Sequence, residues 1–286
     1  MNKILVAALL MSSSAMLWGQ STPSSTQELV QRVVANEIRA ADSQGHYMYR
    51  LHKESADGSI TSEVIETKDW LVGRLIQRNG QPLLPGQRQK EDERLTRLLT
   101  NRAALEQERE ELEKDEHHAR DLFKALPLAF DYQYASQQKG GVGDSLVRLK
   151  FHPNPQFQPP SQELRVLEGM EGTMLIDATA GRIVRIEARL AQPVSFGWGI
   201  LARLNPGGTL LLEQRDVGQG RWQMTMLALH FTGKILLFKK LEIDSTRTTS
   251  DFRRMPDDLT LKEGLELLRK QDEMTNESRD PAKRNP

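Results

Sequence analysis

"MEGTMLIDATAGRIVRIEARL", residues 170–190, holds two strand patterns joined by a turn. In its second half Val184, Ile186, Ala188 and Leu190 alternate with Arg185, Glu187 and Arg189, the period of a strand with one apolar face. Between the halves, Asp177 is placed to start a turn and Gly181 to take a positive-φ position, so that pairing resumes at Arg182. This is the local signature of an antiparallel hairpin.

Working outward from it, the same grammar continues on both sides. Downstream, "AQP" (191–193), "NPGG" (205–208), "VGQG" (217–220) and "TG" (232–233) divide the chain into strands of short length as far as about Lys240. "VSFGWGILARL" (194–204) reads as one of them. Val194, Phe196, Trp198, Ile200, Ala202 and Leu204 share a face, and Ser195, Gly197 and Gly199 leave the other nearly bare. Glycine inside a strand marks a bend or a close approach, so strong curvature is expected there. In 222–231 one side carries Trp222, Met224, Met226 and Ala228, and the other Leu227, Leu229 and Phe231. Upstream, 128–135 and 145–153 read as strands, and the proline-rich 153–162 as a loop.

The N-terminal part has its own β pattern. Leu29, Val30, Val33, Val34 and Ile38 fall at helical spacing, after which Tyr47, Tyr49 and Leu51 alternate with His46, Arg50 and His52. Turns at 56–59 and 78–82 separate further strands over 60–68 and 70–77, a meander. Residues 87–126 then lack glycine and proline and are dominated by charge. Leu98, Leu105, Leu112, Ala119 and Leu126 repeat every seven residues, while the companion seam Leu95, Arg102, Arg109, Glu116, Phe123 is apolar only at its ends. One or two helices with a narrow buried stripe are expected, not a coiled coil. A last helix follows Pro256.

The organisation expected is a signal peptide at 1–19, a linker at 20–27, one domain at 28–272 with the helical insertion at about 87–126, and a disordered tail at 273–286. Lys3, the apolar Ile4–Met11 and the small residues after them have the layout of a secretory signal, cleaved near Gly19–Gln20. That places the mature protein in the periplasm or outside the cell, with no stable membrane span after cleavage. The chain of 286 residues has no cysteine, which excludes disulfides and thiolate metal sites. Its 39 basic and 39 acidic side chains provide no excess for nucleic acid.

This layout, with the "LIDATAGR" turn inside it, resembles the superfamily of periplasmic lipoprotein-sorting carriers and their relatives (LolA/LolB-like, RseB-like and LppX-like proteins). In that family a "W-x-D-x-x-T-G" type turn is followed by a basic residue. Here Ile176, Asp177, Thr179, Gly181 and Arg182 stand in those places, with Leu175 where an aromatic is often seen. Over roughly 28–254 the resemblance implies an α+β fold: a curved antiparallel sheet, an unclosed half-barrel, with the charged helical insertion packing on or in its concave face. It also implies a hydrophobic cargo, lipid or lipoprotein acyl chains, or another protein's apolar segment.

No nucleophile elbow, phosphate loop or helical zinc pair is found, and no catalytic residue, metal ligand or cofactor is assigned. The expectation is a non-enzymatic binding protein whose apolar lining is Phe196, Trp198, Ile200, Trp222, Met224 and Met226, with Tyr47 and Tyr49 at the opposite edge. The alternative is an envelope interaction module, its sheet filled and its contacts made to envelope proteins.

Overall fold

The computed structural model describes residues 26–43, 45–139, 145–197, 201–236 and 238–279. The expected signal peptide and most of the linker lie outside them, as do Trp198 and Ile200. A first helix α1 (Thr26–Ser43) precedes a meander of β1 (Tyr47–Ser55), β2 (Gly58–Glu66), β3 (Leu71–Arg78) and the short β4 (Gln81–Pro82). Two helices follow, α2 (Pro85–Thr100) and α3 (Arg102–Ala129), then β5 (Phe130–Lys139), β6 (Ser145–Pro153) and a 3-10 helix at Glu163–Gly169. The chain continues through β7 (Met170–Asp177), β8 (Arg182–Leu190), β9 (Val194–Phe196), β10 (Ala202–Leu204), β11 (Thr209–Asp216), β12 (Trp222–Ile235) and β13 (Lys239–Arg254) to α4 (Leu261–Arg279). α4 thus extends past the point where the sequence suggests a tail.

All thirteen strands belong to one antiparallel sheet in the order β4-β3-β2-β1-β13-β12-β11-β8-β7-β6-β5, with β9 and β10 attached beside β12. β4 and β5 end the path unpaired with each other, so the curved sheet is unclosed and the α+β architecture is the one expected.

Register fixes which side chains share a side. Tyr134, Leu149, Met174, Ile186, Leu212 and Leu227 form one cross-strand row from β5 to β12. The adjacent row, Gln133, Lys150, Thr173, Glu187, Leu211, Ala228 and Thr246, points the other way. From Leu149 to Leu227 the first row joins Leu29, Val30, Val33 and Val34 of α1 in the larger core with Ile176, Ile183 and Leu190, while Tyr134 at its end is exposed. Each such fully buried aliphatic side chain stabilises the fold by about 1.5–3 kcal/mol. The end of α3 enters the same core through Leu122, Phe123, Ala125 and Leu126.

The turn at 177–181 fastens α1 to the sheet. Asp177 accepts the backbone N–H groups of Thr179 at 2.9 Å and Ala180 at 2.8 Å, and Gly181 adopts φ 63°. Asn36 of α1 donates to the Gly181 carbonyl at 3.1 Å, and a Cβ on Gly181 would lie 2.5 Å from the Asn36 amide nitrogen. Glu37 receives Arg182 Nε at 3.1 Å, Arg182 Nη2 at 2.7 Å and the Ile183 N–H at 2.8 Å, with both charged side chains buried.

A second core lies on the other side of β1–β3, where Met48, Ile65 and Val72 meet Leu95 and Leu98 of α2 and Leu265 and Leu268 of α4. α2 also blunts the edge of the sheet. Glu91 accepts the Leu75 N–H at 2.9 Å and Arg94 donates to the Gly73 carbonyl, satisfying backbone groups that an edge strand leaves open. The charged insertion is two helices, broken at Asn101, whose side chain caps Ala104 at 3.2 Å. The middle of α3 is mainly exposed, as its charge runs require.

The stretch 194–204 is not one strand. β9 and β10 pair with each other, Val194 against Leu204 and Phe196 against Ala202, so the chain reverses between them. Gly197 is at φ 55°, a turn conformation, and replaces the expected bend in a continuous strand.

Candidate functional site

The helix-facing side of the sheet keeps an incompletely covered apolar strip along β12 and β1. β11 and β12 pair in simple register from Thr209–His230 to Glu213–Met226, then shift so that Gln214 opposes Met224. Thr225 is the extra residue of a bulge, which turns Met224 toward the side of Gln214 and leaves Met226 on the opposite side with Glu213 and Thr248. Met224 is 39% exposed, and Trp222, Leu227 and Leu229 are half-buried. Trp222 lies over the Arg182 guanidinium, 5.9 Å from its ring centroid, so the clamp that holds α1 also orients this indole.

Across β13, Tyr47 and Tyr49 occupy the same side of the sheet. Phe252 contacts both, with ring centroids 6.2 Å and 5.4 Å away. Asp251, at φ 58°, marks the irregularity in β13 that aims Phe252 at them. In the strand order β13 alone separates β1 from β12.

Glu66 sits at the rim of this strip and accepts the Tyr47 N–H at 2.9 Å. Burial raises its carboxyl to about 7, against the lowering effect of that hydrogen bond and with a smaller push from Glu116 of α3. Burial also raises the Tyr49 hydroxyl, with Glu66 and Glu116 adding to it.

The structure therefore brings together Tyr47, Tyr49, Trp222 and Met224. It separates Met226, which is on the other side, and Phe196, which is half-buried beside β10. β10 pairs with the Ile235 end of β12, roughly 40 Å along the strand from Trp222. Sequence reasoning did not single out Phe252, Glu66 or Glu37. Glu66 had a signal: it falls on the apolar face of 58–66 with Ile60 and Val64, a position where a carboxylate is costly.

Away from the second core, the other side of the sheet is polar over β5–β8 and β11–β13. An open groove of about 760 Å³ crosses it, lined from seven adjacent strands by residues that include Lys150, Thr173, Glu187, Arg189, His230 and Thr246. Its histidines are loosely paired, His152 4.0 Å from Asp131 and His230 4.0 Å from Asp244. Among the described residues, no three His, Cys, Asp or Glu side chains are grouped to hold a metal ion, and no helix is long and apolar enough to cross a membrane.

The class defined by these features is an α+β protein built on an unclosed antiparallel sheet, with α1 and the end of α3 on one face and, on the other, α2 and α4 over β1–β3 and a polar groove across the remaining strands. Compared with protein-family models, curated proteins and solved structures, the chain matches none.

Proposed function

We propose that this chain is an exported, periplasmic or secreted, binding protein that holds a hydrophobic ligand, a lipid or a lipoprotein acyl chain, against the helix side of its sheet. The reading places it beside the lipoprotein-sorting carriers it resembles in sequence layout. The observation that carries it is the strip of Trp222, Met224, Leu227 and Leu229 on β12, with Phe252 on β13 and Tyr49 beyond it on β1, left partly open on the α1 side of the sheet. Half-exposed apolar side chains in a row, flanked by a packed core, favour a flexible apolar guest. Methionine suits such a guest because its side chain adapts to varied shapes.

The test is binding of a fluorescent long-chain acyl probe to the purified protein. Met224→Glu is the informative variant, since the side chain is already 39% exposed and its loss leaves the core intact. Saturable uptake by the wild type, weakened at least about tenfold in the variant by the cost of placing a charge against an acyl chain, supports the proposal. Absence of saturable uptake, or equal uptake by both proteins, overturns it.

A second reading rests on the polar groove of the free side. Its mixed lining of Lys150, Glu187, Arg189 and Asp244 suits an envelope protein partner better than a lipid. Substituting Lys150 and Arg189 would then abolish partner capture while leaving probe uptake unchanged.

A further inference from the structure

The hairpin of β12 and β13 outruns the sheet that carries it. β11 pairs with β12 only as far as His230, and β1 pairs with β13 only as far as Ser245. Beyond those points β12 and β13 continue together from Phe231–Ile243 to Ile235–Lys239 with only β10 alongside, a projection of about 15 Å. Its end is apolar and open to solvent: Phe238 is 84% exposed, Leu201 57% and Leu236 51%. The Leu236 N–H donates to the Leu201 carbonyl at 3.1 Å, which brings these two positions together beside Phe238. Leu236 has φ 50°, an uncommon conformation for a leucine that keeps it at the tip.

Immediately behind this tip lies a row of like charges. Arg203 opposes Lys234, and Lys234 opposes Lys240, on three adjacent strands. Like charges directly opposite one another destabilise a sheet. Glu242 pairs with Lys240, and among the described residues neither Arg203 nor Lys234 forms an ion pair. Lys239, also exposed, adds a fourth cation at the turn.

We infer that this tip is a docking surface for an anionic lipid bilayer. Leu201, Leu236 and Phe238 enter the headgroup layer, and Arg203, Lys234 and Lys240 rest on the phosphates above them. An apolar end backed by cations matches the bilayer's own layering of acyl chain, then negative charge.

The inference is independent of ligand binding, and so is its test: co-sedimentation with vesicles of phosphatidylcholine, with and without phosphatidylglycerol, without any added acyl ligand. The wild type should sediment with the anionic vesicles and lose binding as salt rises. Lys234→Gln and Lys240→Gln should each weaken it about fivefold, the effect of one cation near an anionic surface. Phe238→Asp should abolish it with an unchanged circular dichroism spectrum, since that side chain packs against little. Equal sedimentation of Phe238→Asp and wild type, or none of the wild type at low ionic strength, would overturn the inference. So would lipid-free dimerisation that Phe238→Asp abolishes while vesicle binding persists, because the tip would then be an interface between copies of the chain.

Discussion

Replacing Glu37 by alanine should unfold the protein much more easily than the loss of one carboxylate on a helix suggests. Glu37 takes three hydrogen bonds, two from Arg182 at 3.1 Å and 2.7 Å and one from the Ile183 N–H at 2.8 Å, in a buried setting. Its removal strands the Arg182 charge beneath α1, against the Trp222 ring. Breaking a buried pair from one side costs about 3–5 kcal/mol. Replacing both partners, as Glu37→Leu with Arg182→Met, removes the stranded charge and leaves only the Ile183 N–H unmet, about 1–3 kcal/mol. Urea unfolding of the two variants and the wild type measures both numbers. A loss below about 1 kcal/mol for Glu37→Ala, the level of a surface ion pair, would refute the reasoning. A double variant less stable than the single would refute it equally.

Two further outcomes follow from buried charge elsewhere. Because burial raises the Glu66 carboxyl from 4.5 to about 7, the folded state holds a proton there that the unfolded chain releases, so this group's contribution to stability falls as pH rises between those values. Glu66→Gln should remove that fall; unfolding curves of the two proteins across this pH range that run parallel would contradict it. Arg74, buried, joins Asp92 of α2 at 2.7 Å and Asp272 of α4 at 3.0 Å. Arg74→Met should therefore speed amide exchange in α4 while β6–β8 stay protected, and unchanged protection of α4 would show that its apolar contacts alone hold it.

What could be read from the sequence is what is decided locally. The strand at 183–190 and the turn at 177–181 depend on neighbours within a few residues, and both are found where their patterns put them. The stretch 194–204 misleads for a specific reason. Residues paired across a hairpin share a side, and the connection 197–201 has an odd length, so Val194, Phe196, Ala202 and Leu204 keep even spacing through a reversal. Alternation alone cannot tell this from one straight strand. The turn expected at 232–233 lies inside β12, and β13 starts only at Lys239; most of β13 has no legible pattern because Ser245, Thr246, Thr248 and Thr249 have no apolar face, and pairing with β1 and β12 makes them a strand.

The candidate site was legible in part for the same cause. Tyr47 and Tyr49 follow from alternation, but Met224 and Met226 appear equivalent until the bulge at Thr225 sends them to opposite sides. That bulge is a property of the register between β11 and β12, not of either segment. Phe252 likewise reaches the tyrosines through the left-handed Asp251 before it.

Native mass spectrometry of the protein purified from its own compartment tests the proposed function most directly. A lipid or acylated peptide bound one to one, and absent from Met224→Glu prepared in the same way, is the expected result. A clean ligand-free mass that added lipid does not change would contradict it.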